Sequence, residues 1–228
     1  MQHGQGAIYL TPAKIVHHFC DLRFLAEWHA GEFGDSSENQ VVKNHAVFVH
    51  FLKGSKNTII AGEKIRDEYH NYYLGADSTM HRSAVPLYEA VRYKDIWPGI
   101  DMWMHTSGEN LKYQFELHPG ADPQQIALQY EGHTSMEIKD GQLVVRTTLG
   151  HIIEEAPEVW QTDAHGQRIL VRSKFNISGD TLRFDLPNGH DSALPLTIDP
   201  LMIFSTYSGA TSDNFGFTAT FDSRGYLY

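Results

Sequence analysis

The sequence predicts an all-β protein, a β-sandwich of mostly antiparallel strands. Three observations carry this reading. Apolar and polar residues alternate in short runs, the runs close on Gly, Pro, Asn or Asp, and their separations suit one sandwich or a pair of them. At 228 residues and 41% hydrophobic content, the chain is long enough to bury a core with neither disulfides nor a metal.

The first 44 residues fit the pattern least. Across 20–31, Leu22, Leu25, Ala26 and Trp28 stand near helical spacing and Gly31 supplies a stop, so a short helix or an ordered loop is expected there, followed by a polar surface loop over 32–44. An all-β domain is expected over 45–200. Its strands are expected at 46–52, 90–93, 111–117, 126–131, 142–147, 168–176 and 181–186, with one more at 201–207. Asp140-Gly141 between two alternating runs is a strong hairpin signal, and the stretch from Asn176 to Thr181 reads as a second hairpin connection. Pro98-Gly99 and Pro119-Gly120 each predict a type II turn, with proline setting φ and glycine taking the positive-φ position. Trp103, Tyr113, Phe115, Tyr130 and Trp160 are spaced to lie on strand faces, where aromatics belong to the core more often than to a ligand platform.

Charge narrows the partners. Eighteen basic against 28 acidic side chains give a net charge of −10, which argues against a nucleic-acid backbone or an anionic membrane as target. No apolar run reaches the length of a membrane span, and the first residues lack the pattern of a signal peptide. The strand-like pattern still running at Tyr228 predicts that the natural chain continues. The single cysteine, Cys20, permits no intramolecular disulfide.

Several motifs, in order and at consistent spacing, resemble a known family. They are NYYLGAD at 71–77, VRYKDIWPGID at 91–101, LKYQFELHPGADP at 111–123, IALQYEG at 126–132, EAPEVWQ at 155–161 and PLTIDP at 195–200. Together they resemble an uncharacterised all-β domain that precedes seven-bladed β-propeller (SBBP-type) repeats in large exported or cell-surface bacterial proteins. The stretches FSTYSGA at 204–210, SDNFGF at 212–217 and FDSRGYLY at 221–228 are similar to the first such repeat, with Ala210 and Asn214 departing from its usual pattern. The resemblance implies a truncated repeat over 201–228, a secreted or cell-surface location, and adjacent propeller repeats of the same chain as partners. It covers 1–44 poorly.

Residue spacing bears on each kind of chemistry in turn. Fourteen histidines suggest a metal, yet His17 and His18 are adjacent, and His45 and His50 stand an odd number apart, so each pair diverges on a strand. No HExxH or Cys-x-x-Cys occurs. Asp95, Asp101, Glu154, Glu155 and Glu158 offer carboxylates for glycoside hydrolysis, but spacing singles out no pair. There is no nucleophile elbow around a serine and no phosphate-binding glycine loop. Asn176-Ile177-Ser178 is a glycosylation sequon, relevant only in a eukaryotic secretory pathway. Asp180-Thr181-Leu182 and Asp191-Ser192-Ala193 resemble a short O-glycan acceptor motif of some exported bacterial proteins.

The expectation is therefore a non-catalytic structural or interaction module with no catalytic residues, metal or cofactor. The alternative is a glycan-binding or adhesive module, whose candidate platforms are Trp28, Trp97 and Trp103; a metal-dependent hydrolase is the lesser alternative.

Overall fold

A computed structural model describes residues 2–3, 6–21, 43–73, 75–107 and 110–206. In chain order the strands are β1 (Gln2–His3), β2 (Gly6–Leu10), β3 (Lys14–Cys20), β4 (Asn44–Phe51), β5 (Ile59–Tyr72), β6 (Arg82–Trp97), β7 (Ile100–Ser107), β8 (Asn110–Leu117) and β9 (Leu128–Glu131). They continue as β10 (Ser135–Lys139), β11 (Gln142–Arg146), β12 (Gly150–Glu154), β13 (Glu158–Thr162), β14 (Arg168–Leu170), β15 (Lys174–Ser178), β16 (Thr181–Asp185), β17 (Leu196–Asp199) and β18 (Met202–Thr206).

Among the described residues these strands make three open sheets. Sheet A runs β1-β2-β3-β4-β9-β16-β15, sheet B runs β14-β13-β17-β8-β7-β6-β5, and sheet C runs β10-β11-β12-β18. The all-β sandwich expected from the alternation is the observed class.

Turn chemistry sets the registers. Asp140 and Gly141 both take positive φ, 52° and 86°, so the β10–β11 hairpin closes on the two residues the sequence nominates, with Lys139 opposite Gln142. Ser178 likewise faces Thr181 across the β15–β16 connection. Gly99 at φ 70° brings Trp97 opposite Ile100, and Gly120 at φ 85° lets Ala121 N–H donate to the His118 carbonyl at 3.0 Å.

One core serves all three sheets. Sheet A contributes Ile8, Ile15, Phe19, Val47, Val49, Phe51, Leu128 and Phe184; sheet B contributes Tyr93, Met102, Phe115 and Ile198; sheet C contributes Leu143, Val145, Ile152 and Met202. Edge-to-face rings tie sheet A to sheet B, with Phe51 against Tyr93 at 5.6 Å and Phe115 against Phe184 at 5.9 Å between centroids.

The structure redraws several expected elements. Cys20 ends β3 in sheet A, while the rest of the helix and loop expected over 20–44 lies largely outside the described residues. The N-terminal strands β2 and β3 pair in register with each other and with β4, so they are continuous with the sheet that follows. The single strand expected at 168–176 is two, in different sheets: β14 pairs with β13 and β15 with β16. The chain crosses between them because Val171 N–H donates to the Val159 carbonyl and the Ser173 hydroxyl to the Pro157 carbonyl. The strand expected at 90–93 extends over the whole of β6. At the far end, β18 pairs with β12 inside sheet C, and 207–228 lie outside the described residues.

Candidate functional site

Strand alternation in sheet B sends Tyr93, Met102 and Phe115 into the core and turns Arg92, Asp101, Trp103, Gln114 and Glu116 to the other face. A bulge between Tyr93 and Trp97, with Asp95 at φ 50°, aims the Asp95 N–H at Asp101 Oδ1, 2.8 Å away. Asp101 Oδ2 accepts from Arg92 Nη2 at 2.5 Å and Nε at 3.2 Å, and His118 Nε2 lies 3.7 Å away. Only 1% of Asp101 is exposed. Burial alone would raise its carboxyl, but the Asp95 and Arg92 hydrogen bonds and the Arg92 charge outweigh that and hold it below the ordinary aspartate value. The Arg92 guanidinium also stacks over Trp103, 4.8 Å from the ring centre. Trp103 Nε1 donates to Glu116 Oε2 at 2.8 Å, and Gln114 Nε2 donates to Glu116 Oε1 at 3.1 Å. Chemically this row is a chain of satisfied groups. Asp101 is an ionised acceptor without a proton to give, which does not suit a general acid.

A second cluster lies where the three sheets meet. Glu154 on β12 is fully buried, and its two carboxyl oxygens accept from Tyr113 Oη on β8 and Tyr130 Oη on β9, each at 2.6 Å. Among the described residues no cation pairs with it. Burial raises its carboxyl, only partly offset by the two hydroxyl bonds; burial likewise raises both tyrosines well above their ordinary range, so they remain donors.

The candidates named from sequence separate cleanly. Trp28 lies outside the described residues. Trp97 is buried, with its ring 6.1 Å from Phe51 and its Nε1 donating to the Leu52 carbonyl at 2.9 Å; that makes it core, not platform. Trp103 is half-buried, with one flank taken by Arg92. His17 faces the core, whereas His18 faces away and bonds Asn44 Oδ1. His45 bonds Thr148 and the Gly132 carbonyl, and His50 pairs with Glu131. Among the described residues no three of His, Cys, Asp and Glu come together to hold a metal. Glu155 accepts from Gln142, and Glu158 is exposed. Burial, then Asp21, raises the Cys20 thiol, the opposite of activation. Asn176 spends its amide on Asp185, while Ser192 is exposed in a turn.

Two features escaped sequence reasoning. The Glu154 cluster joins strands far apart in sequence, although a carboxylate at an inward position of Ile152-Ile153-Glu154 and tyrosine rather than phenylalanine at 113 and 130 were its available signals. The other is the β5–β6 arm, a long two-stranded ribbon at the edge of sheet B. From Lys64 to Tyr69 every residue is exposed, and Ile65, Tyr69, Tyr73 and Met80 leave 69%, 59%, 62% and 62% of their surface in water. At its root the Tyr88 ring lies over Gly62 so closely that a Cβ there would sit 2.4 Å from the ring. Between Ile65 and Tyr69 the register slips, and Lys64, Arg66, Asp67 and Glu68 cluster at the bulge, which discourages edge-to-edge pairing.

A protein-family model described as a domain of unknown function (DUF7948) matches residues 1–201. No curated protein and no solved structure matches the chain.

Proposed function

We propose, for a chain that belongs to the DUF7948 family of domains of unknown function, a non-catalytic role as a structural and interaction module of an exported bacterial surface protein, placed ahead of a β-propeller. The observation that carries this reading is the β5–β6 arm. Four large side chains stand in water on its outer part, where none of the described residues from 64 to 85 is buried, and exposed apolar groups of this size favour contact with another protein surface. The acids nominated for catalysis support the same reading: Asp101 and Glu154 are buried and committed to fixed partners, and Glu155 is held by Gln142. The motif resemblance supplies the propeller and the surface location. The test is protease shaving of intact cells that make the natural full-length protein. Arm peptides released from the cell surface are expected, and recovery from the cytosolic fraction alone refutes the reading.

Glycan binding is the second reading, favoured by Trp103 on the open face of sheet B beside Gln114 and Glu116. A glycan array probed with the purified chain tests it. Retained binding in Trp103→Ala removes Trp103 as the platform, and an empty array removes the reading.

A further inference from the structure

We infer that Tyr113, Glu154 and Tyr130 form a proton-operated latch: sheet C stays docked on the two larger sheets while Glu154 carries its proton, and loosens when Glu154 ionises. The inference is independent of the interaction role argued above.

The geometry supports it in three ways. First, the cluster is a polar contact that joins all three sheets, since Glu154 stands on β12 of sheet C, Tyr113 on β8 of sheet B and Tyr130 on β9 of sheet A. Second, among the described residues no positive charge pairs with Glu154. Its cross-strand neighbours are Leu143 on β11 and Met202 on β18, and the facing groups on β8 and β9 are the two tyrosines. By strand alternation Lys112 and Glu131 point to the opposite faces of their sheets, and Lys112 is paired with Asp199 of β17 at 3.6 Å. The Asp199 carboxylate bears on Tyr113 and disfavours further negative charge there. Third, an ionised carboxylate in such a site keeps only two hydroxyl donors in place of its water shell, whereas the protonated form has no charge to desolvate and still accepts a tyrosine hydroxyl through its carbonyl oxygen. Burial accordingly pushes the Glu154 carboxyl above its usual range.

Position gives the latch a consequence. Glu154 is the direct cross-strand partner of Met202, the first residue of β18, and β18 leads out of sheet C toward residue 207. Ionisation therefore acts on β18 as well as on β12.

Amide hydrogen exchange on the intact chain tests this, with protection normalised to intrinsic exchange at each pH. Between about pH 5 and about pH 9, protection in Gly150–Glu154 and Met202–Thr206 is expected to fall roughly tenfold or more, while Asn44–Phe51 in sheet A holds. Glu154→Gln, which keeps the shape but cannot ionise, is expected to abolish the fall. His133 and His151 remain in that variant, so a fall that survives the substitution assigns the titration to them and overturns the latch. Protection in wild type that does not vary with pH overturns it equally. Should Glu154→Gln not fold, carbon-13 NMR of glutamate side-chain carboxyls in the wild-type chain reads the proton directly. A Glu154 signal still protonated near neutral pH supports the latch, and an ionised signal under conditions where sheet C is fully protected refutes it.

Discussion

Asp101 and Glu154 are both carboxylates withdrawn from water, and their surroundings shift their titration in opposite directions. Arg92 and the Asp95 N–H compensate Asp101 as an anion; among the described residues the polar partners of Glu154 are two hydroxyl groups. Removing one partner of a buried ion pair leaves an uncompensated charge, so Arg92→Ala is expected to cost about 3 kcal/mol or more, read from denaturant unfolding. Arg92→Met, which keeps the stem over Trp103 but not the charge, should cost nearly as much if the charge is what matters; a loss under about 1 kcal/mol refutes that account. Tyr93 is a contrasting case. Its hydroxyl is buried with no hydrogen-bond partner among the described residues, a net cost to the fold. Tyr93→Phe should raise stability by about 1 kcal/mol, seen as a melting temperature roughly 2–4 °C higher, and a lower melting temperature refutes the orphan assignment.

Elements differ in how much of the fold they carry. Strands β3, β4, β8, β9 and β12 each bury one face in the shared core, so their turns and registers are fixed by burial. The distal arm is different, because none of the described residues within 70–85 is buried. Replacing 70–85 with an Asn-Gly turn between Tyr69 and Pro86, already cross-strand partners, is expected to leave the melting temperature within a few degrees. Interaction with the natural partner should be lost. A large drop in melting temperature instead would show that the arm is structural. Gly62 at the arm's root has the opposite sensitivity. Because its missing Cβ is where the Tyr88 ring lies, Gly62→Val should displace that ring and change the arm's proteolysis pattern, which limited digestion will detect.

For the whole molecule, the two carboxylates set opposite limits on pH stability. Asp101 is depressed, so its contribution is present above the ordinary aspartate value and fades as pH falls through the lower folded value. Glu154 is raised, so its contribution is complete below the ordinary glutamate value and fades as pH rises through the higher folded value. Thermal unfolding across pH should therefore show wild type losing stability on the alkaline side of the glutamate range, with a shallower loss in Glu154→Gln. Parallel curves for the two proteins would assign the alkaline loss to other groups.

The sequence by itself determined the all-β class, the Asp140-Gly141 and Pro98-Gly99 turns, and the divergence of the adjacent histidines, because each depends on alternation or on the φ of one or two residues. It also marked Tyr113, Phe115 and Tyr130 as residues of a strand face. The tertiary structure alone decided that 168–176 divides between two sheets, that Trp97 is core while Trp103 lies on an open face, and that Glu154 meets two tyrosines 41 and 24 residues away in the chain. Local periodicity reports which side of a strand a residue occupies. Which sheet lies against that side, and hence whether a carboxylate finds an arginine or a tyrosine there, is set by how distant strands pack.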